Sequence, residues 1–105
     1  MPENVIPLET AQEWAATWRA NPENTVKAFL IPRIDVTELL AENNVGDIRA
    51  YVGIDGDGMH KLMLVGVDAS DNDLIDAKAG QFIYDFTRPC PPECDIKSPL
   101  YTLEP

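Results

Sequence analysis

The stretch that decides the fold reads Ile48-Arg49-Ala50-Tyr51-Val52-Gly53-Ile54, continues with Asp55-Gly56-Asp57-Gly58, and ends with Leu62-Met63-Leu64-Val65-Gly66-Val67. In its first part, apolar residues alternate with polar or small ones, which is typical of a half-buried β-strand. The middle part is a tight turn, because Gly and Asp tolerate the positive φ that hairpins require. The last part is apolar on both faces, which indicates a central strand. The pattern therefore predicts an antiparallel hairpin over residues 48–67.

A first helix is predicted near the N-terminus, over residues 9–20. Thr10 and Glu13 form a capping box, in which each side chain reaches the backbone N–H of the other residue. The helix carries an apolar stripe, made of Leu8, Ala11, Trp14, Ala15 and Trp18. Aromatic residues at helical spacing belong more often to a core than to a binding face, so both tryptophans are predicted to pack against the sheet.

The segments on either side of the hairpin give weaker signals. Residues 26–31 read as a short strand, and residues 36–43 as a second helix with Asp35 as its N-cap. After the hairpin, residues 68–80 are polar and predict no more than one helical turn, near 73–77.

The last predicted strand leads into a tail rich in proline. Phe82, Tyr84 and Phe86 alternate along the chain and share one face of this strand. Because proline fixes φ and cannot donate a backbone hydrogen bond, the strand is expected to end near Thr87. The remaining tail, 87–105, is predicted to be irregular, with residues 87–100 ordered.

The element order is therefore α-β-α-β-β-(α)-β. It predicts an α+β fold: a small, mainly antiparallel sheet of three or four strands with helices on one face. A chain of 105 residues is expected to form one domain, over 1–105.

The charge of the chain excludes some classes of partner. Eight basic residues face eighteen acidic ones, which gives a net charge of −10. A nucleic-acid-binding protein needs Lys and Arg for phosphate contacts, and an anionic membrane surface would repel this chain. We therefore expect neither nucleic acid nor membrane as a partner. The acidity either keeps a small protein soluble or fits it to a partner with a basic face.

No segment of 18 uninterrupted apolar residues is present, and the first residues lack the basic and apolar regions of a signal peptide. A cytoplasmic location is the resulting expectation. Two cysteines are too few for a disulfide scaffold in a chain that can build a core.

Both cysteines lie in the tail, four residues apart. If the last strand ran antiparallel to the hairpin, Cys90 and Cys94 would arrive near His60, the lone histidine. These three side chains are the candidate metal ligands, with zinc as the metal, although a structural zinc site needs four ligands. A disulfide is the alternative if the two Cα atoms lie within about 7 Å. The preferred interpretation is two reduced, structural thiols, with no cofactor.

The other polar clusters fit no known site. The aspartates after each hairpin strand do not match a calcium-loop pattern, so they are interpreted as solvated turns. His60 has no partner in sequence for acid–base chemistry. No phosphate loop or nucleophile motif is present, so no catalytic residue is assigned and the chain is not expected to be an enzyme.

Four stretches resemble a group of small uncharacterised bacterial proteins that end in the same Cys-Pro tail. They are Trp14…Trp18, Lys27-Ala28-Phe29-Leu30-Ile31-Pro32, Ile48-Arg49-Ala50-Tyr51 and Asp85-Phe86-Thr87-Arg88-Pro89-Cys90-Pro91…Cys94. The tail is the specific motif among them. The resemblance implies an intracellular or envelope bacterial protein, and it transfers no activity and no site residue.

The sequence thus predicts a small acidic protein-interaction domain without catalytic activity, whose protein partner and oligomeric state are not identified. Two alternatives stay open at this point. One is a metal- or thiol-dependent protein that uses Cys90, Cys94 and His60. The other is an acidic inhibitor or immunity-type protein that binds a basic partner.

Overall fold

The computed structural model describes residues 2–104, and the described chain has an α+β fold, as predicted. Its strands form two small sheets, one of order β1-β5 and one of order β2-β3-β4. In chain order the elements are α1 (Leu8–Arg19), β1 (Ala28–Leu30), α2 (Arg33–Leu40), β2 (Asp47–Ile54), β3 (His60–Val67), β4 (Asp73–Leu74), a 3-10 turn (Ala77–Ala79), β5 (Arg88–Cys90) and α3 (Pro99–Thr102).

The predicted hairpin is confirmed. Strands β2 and β3 pair antiparallel over their whole length, from Asp47 opposite Val67 to Ile54 opposite His60. The turn is closed by Asp55, whose carboxylate accepts hydrogen bonds from the backbone N–H groups of Asp57 and Met59, each at 2.9 Å. β3 is the central strand of its sheet, because β4 pairs with its other edge.

The predicted last strand over 82–86 is wrong, because only Tyr84 forms a bridge to β3. Tyr84 and Leu64 exchange two backbone hydrogen bonds, at 2.8 and 2.9 Å. The neighbouring N–H groups bond to carboxylates instead: that of Phe86 donates to Asp35 and that of Phe82 donates to Glu42. Side chains of α2 and the residues after it thus replace a regular ladder.

Thr87 extends this irregular edge one step further along β3. Its hydroxyl accepts a hydrogen bond from the N–H of Leu62 at 3.1 Å and donates one to the Leu62 carbonyl at 2.6 Å. The Thr87 side chain is fully buried. It therefore satisfies both backbone groups of Leu62, which a paired strand would otherwise do.

The core of this sheet includes both faces of β3. On one face, Leu64 is almost completely buried and Gly66 lies beside Leu39 of α2, which is fully buried. On the opposite face, Val65 and Val67 are almost completely buried. Gly66 allows the close approach of the Val45 side chain, because a Cβ atom at this position would lie 2.6 Å from Val45 Cγ2.

Both predicted helix starts need correction. α1 begins at Leu8 after Pro7, without a side-chain cap, so Thr10 and Glu13 lie inside the helix and form no capping box. α2 begins at Arg33 after Pro32, so Asp35 lies in the first turn and is not the N-cap. The buried Asp35 carboxylate is used by Phe86 instead.

Two predictions about the C-terminal half also need correction. The helical turn near 73–77 is instead strand β4 followed by the 3-10 turn, which ends at Gly80 with φ 79°. The strand β5 contains Pro89, where no strand was predicted. Proline is tolerated there because a two-stranded sheet consists of edge strands, in which an outward-facing N–H has no partner to lose.

The chain groups into two compact units. Unit 2 spans Phe29–Pro89 and contains the three-stranded sheet and α2; unit 1 consists, within the described residues, of 2–28 and 90–104. The expectation of a single domain over 1–105 stays a prediction, since compact units can still unfold together. No helix in the described part of the chain has the length and apolar character needed to cross a membrane.

In unit 1 the C-terminal tail is held by side chains of α1. The guanidinium of Arg19 donates to the carbonyls of Tyr101 and Leu100 at 2.7 and 2.6 Å. The amide of Gln12 donates to the carbonyls of Pro99 and Glu104 at 3.1 and 3.0 Å. These bonds satisfy carbonyls of the short helix α3 and the residues around it, and α3 corrects the prediction of a wholly irregular tail.

Candidate interaction site

Among the described residues, no strand pairs with the outer edge of β2, because β2 is the terminal strand of its sheet. Leu64 directs its backbone groups to Tyr84, away from β2, so its partner Ala50 also directs its N–H and carbonyl away from β3. By the alternation of an antiparallel ladder, the same holds for every second residue of β2. These residues, Ile48, Ala50, Val52 and Ile54, present open hydrogen-bonding groups along the edge and are called the β2 site below.

The side chains of the β2 site are also uncovered. Val52 is 70% exposed, Ile54 is 67% exposed and Ile48 is 38% exposed. The sequence pattern predicted that this face would be half buried, yet α2 covers only the part of the sheet near Leu64 and Gly66. The β2 site therefore combines an apolar strip with an open backbone edge on one strand.

A polar cluster covers the opposite face of the same strand. Arg49 binds the carboxylates of Asp71, at 2.5 Å, and of Asp73, and the Tyr51 hydroxyl donates to Asp73 as well. The cluster lies on the face of the sheet to which the buried Val65 and Val67 belong. The polar side chains of this cluster thus find their hydrogen-bond partners within the chain.

The hydrogen bonds of this cluster shift the pKa values of three of its members. The hydrogen bond from Tyr51, with help from Arg49, lowers the pKa of Asp73. The bond to Asp73 in turn raises the pKa of both Tyr51 and Arg49. Arg49, the single cation of β2, is thus paired with two carboxylates.

The two ends of β2 are acidic. Asp47 begins the strand, and Asp55 and Asp57 follow its last residue. Among the described residues, none of these three carboxylates forms a salt bridge with a cation. A strand that adds to the β2 site would meet negative charge at both of its ends.

A second polar cluster includes Glu42, which lies two residues after the end of α2. The Tyr84 hydroxyl donates to Glu42 at 2.6 Å, and burial together with this bond raises the pKa of Tyr84 to about 12. Glu42 also lines a depression with Glu38, Phe82 and Tyr84. The observed role of Glu42 is structural, because its carboxylate holds the chain at both Phe82 and Tyr84.

The two thiols form a disulfide, with the Cα atoms of Cys90 and Cys94 4.8 Å apart. The preference for reduced thiols is therefore wrong for this structure. In this state the sulfurs cannot act as thiolate ligands, and residues 2–104 hold no group of three or more His, Cys, Asp or Glu that could bind a metal ion. The metal site on Cys90, Cys94 and His60 stays a prediction that requires the reduced form.

Around the disulfide, the peptide bonds from Cys90 to Pro91 and from Pro91 to Pro92 are cis. The carbonyl of Cys90 accepts a hydrogen bond from the N–H of Lys27 at 2.7 Å. The disulfide therefore belongs to the ordered part of unit 1. Disulfides persist mainly in oxidising compartments, and the cytoplasmic location expected from the sequence stays a prediction.

The tryptophans of α1 are not core residues, which corrects their predicted role. Trp14 is 62% exposed and Trp18 is 47% exposed, although the Trp18 indole N–H donates to the Val26 carbonyl at 2.7 Å. No residue of α1 is fully buried. The face of α1 that contacts the tail carries Gln12 and Arg19, polar residues that the stripe of apolar residues could not reveal.

Searches with this chain among protein-family models, curated protein sequences and solved structures give no match.

Proposed function

We propose that this protein is a non-catalytic interaction domain that binds another protein by adding a strand of that protein to the β2 site. The observation that carries the proposal is the coincidence, on one strand, of an open backbone edge and a strongly exposed apolar strip. Either feature alone is common, since single exposed apolar side chains are normal. Together they match the two elements of strand addition: main-chain hydrogen bonds for affinity and alternate side chains for specificity.

The β2 edge also lacks several devices that commonly protect edge strands from pairing. Such strands are often short, contain Lys or Pro, or carry an inward-pointing charge. β2 has eight residues without Lys or Pro, and its Arg49 is occupied by Asp71 and Asp73. A strand of this kind invites non-specific aggregation unless a partner covers it or net charge keeps copies apart.

The experiment compares two variants that add the same charge to exposed apolar positions of unit 2. Val52→Lys lies in the β2 site, and Ile75→Lys lies outside it, at a residue that is 55% exposed. The protein is coupled to beads, exposed to an extract of the producing cells, and the retained proteins are identified. We expect the same partner on wild type and Ile75→Lys, and its loss on Val52→Lys. Equal retention by both variants would refute binding at the β2 site, provided that both melt like wild type.

A further inference from the structure

We infer that the segment bound at the β2 site is an extended, basic one: a run of about eight residues, apolar at alternate positions, with Lys or Arg at both ends. This inference rests on the proposed function and adds to it the chemical class of the partner. It follows from the length of β2, the apolar strip and the acidic residues that flank the strand.

The length and the alternation are fixed by β2 itself. β2 spans eight residues, of which every second one offers its N–H and carbonyl outward. An added strand therefore places alternate side chains on the face that holds Ile48, Val52 and Ile54. Apolar side chains at those positions would remove both partners' exposed surface from water, which is the favourable term of the contact.

The charge of the partner follows from the two ends of the site. Any added strand, parallel or antiparallel, has one end near Asp47 and the other near Asp55 and Asp57. Among residues 2–104 these carboxylates form no salt bridge, and Arg49, the one cation of β2, is already paired with Asp71 and Asp73. Opposite charges at both ends of the incoming strand would attract, whereas acidic residues there would repel.

The same argument disfavours a second copy of this chain as the occupant. If two β2 strands paired antiparallel, Asp47 of each copy would lie near Asp55 of the other copy. If they paired parallel, each aspartate would lie near its own counterpart. Both arrangements bring like charges together, and each copy carries a net charge of −10.

The test uses synthetic peptides in which valine alternates with threonine, with two lysines, two serines or two glutamates at each end. Binding to the full chain is measured by fluorescence anisotropy at low salt and at physiological salt. We expect the lysine peptide to bind at least tenfold more tightly than the glutamate peptide at low salt. Physiological salt should reduce this preference, because the Debye length falls from about 30 Å at 0.01 M to about 8 Å at 0.15 M.

Hydrogen exchange of single amides locates the bound peptide. The amides of Ile48, Ala50, Val52 and Ile54 should gain protection when the lysine peptide binds. The alternate amides of Arg49, Tyr51 and Gly53 already bond to β3, and their protection should change little. Val52→Lys should abolish peptide binding and Ile75→Lys should preserve it.

The possible results separate the two claims. Equal binding of lysine and glutamate peptides, with the alternating protection, would overturn the basic partner while supporting strand addition. Protection of the same amides without peptide, increasing with protein concentration, would assign the site to a second copy and overturn the inference. No peptide binding, together with loss of the natural partner on Val52→Lys, would overturn the inference while the proposed function stands. Peptide binding that Val52→Lys leaves intact would refute both.

Discussion

Replacement of Thr87 by valine tests how the irregular edge of β3 is held. Thr87 is fully buried, and its hydroxyl makes the two hydrogen bonds to the N–H and the carbonyl of Leu62. Valine keeps the shape of threonine but removes the hydroxyl, so both groups of Leu62 lose their partner inside the protein. An unsatisfied buried polar group costs about 1–3 kcal/mol, and the two groups of Leu62 are only partly buried. We therefore expect Thr87→Val to lower the free energy of unfolding by about 2–4 kcal/mol.

Thr87→Ser is the matched control, because it keeps both hydrogen bonds and removes one methyl group, at a cost of about 1 kcal/mol. Urea unfolding followed by far-UV circular dichroism gives the two differences, and hydrogen exchange of the Leu62 amide shows the local effect. Valine should destabilise more than serine and should speed exchange at Leu62. If Thr87→Val were as stable as wild type, or if serine were the more damaging change, the hydroxyl would not act as the partner of Leu62.

Three further predictions concern single features. Trp14→Ala should change the free energy of unfolding by no more than about 0.5 kcal/mol, measured by urea unfolding, because the side chain is mostly exposed. The pKa of Tyr84 is raised to about 12, above the ordinary tyrosine pKa of about 10. The neutral hydroxyl should therefore contribute its full stability below pH 10 and lose it as the pH rises through 12. In urea unfolding across this pH range, Tyr84→Phe should not show that loss. Replacing both Cys90 and Cys94 by serine should lower the free energy of unfolding by about 2 kcal/mol, the loop-closure value for a five-residue loop. Thermal unfolding measures this difference, and an unchanged transition would show that the bond does not constrain the unfolded chain.

The sequence predicts well those parts of the fold whose signal is local. The hairpin 48–67 combines period-2 alternation with turn residues, and both hold in the structure. The central position of β3 follows from its apolar character on both faces, since Val65 and Leu64 lie on opposite faces and both are buried. These features depend on neighbours in the chain, which a sequence displays directly.

The sequence could not predict features that depend on contacts between distant residues. Asp35 and Glu42 bond to backbone groups 51 and 40 residues further along the chain, and Thr87 bonds to Leu62 25 residues earlier. A short polar side chain such as that of Asp35 or Thr87 can equally cap a helix, stabilise a turn or bond to a neighbouring strand. The disulfide likewise depends on the path of the proline-rich loop, which no periodicity describes.

The β2 site shows how the same pattern can have two meanings. Alternating apolar residues in β2 predict a buried face. Leu64 of β3, on the same face of the sheet, is buried, whereas Val52 and Ile54 of β2 are exposed. Such a pattern indicates that one face of the strand is apolar enough to be buried, but it does not indicate which molecule covers that face. On the face of β3 that holds Leu64 and Gly66, the covering element is α2 of the same chain. In β2 the remaining apolar strip, the open backbone edge and the acidic ends are the features on which we base the proposal of an added, extended strand with apolar alternation and basic ends.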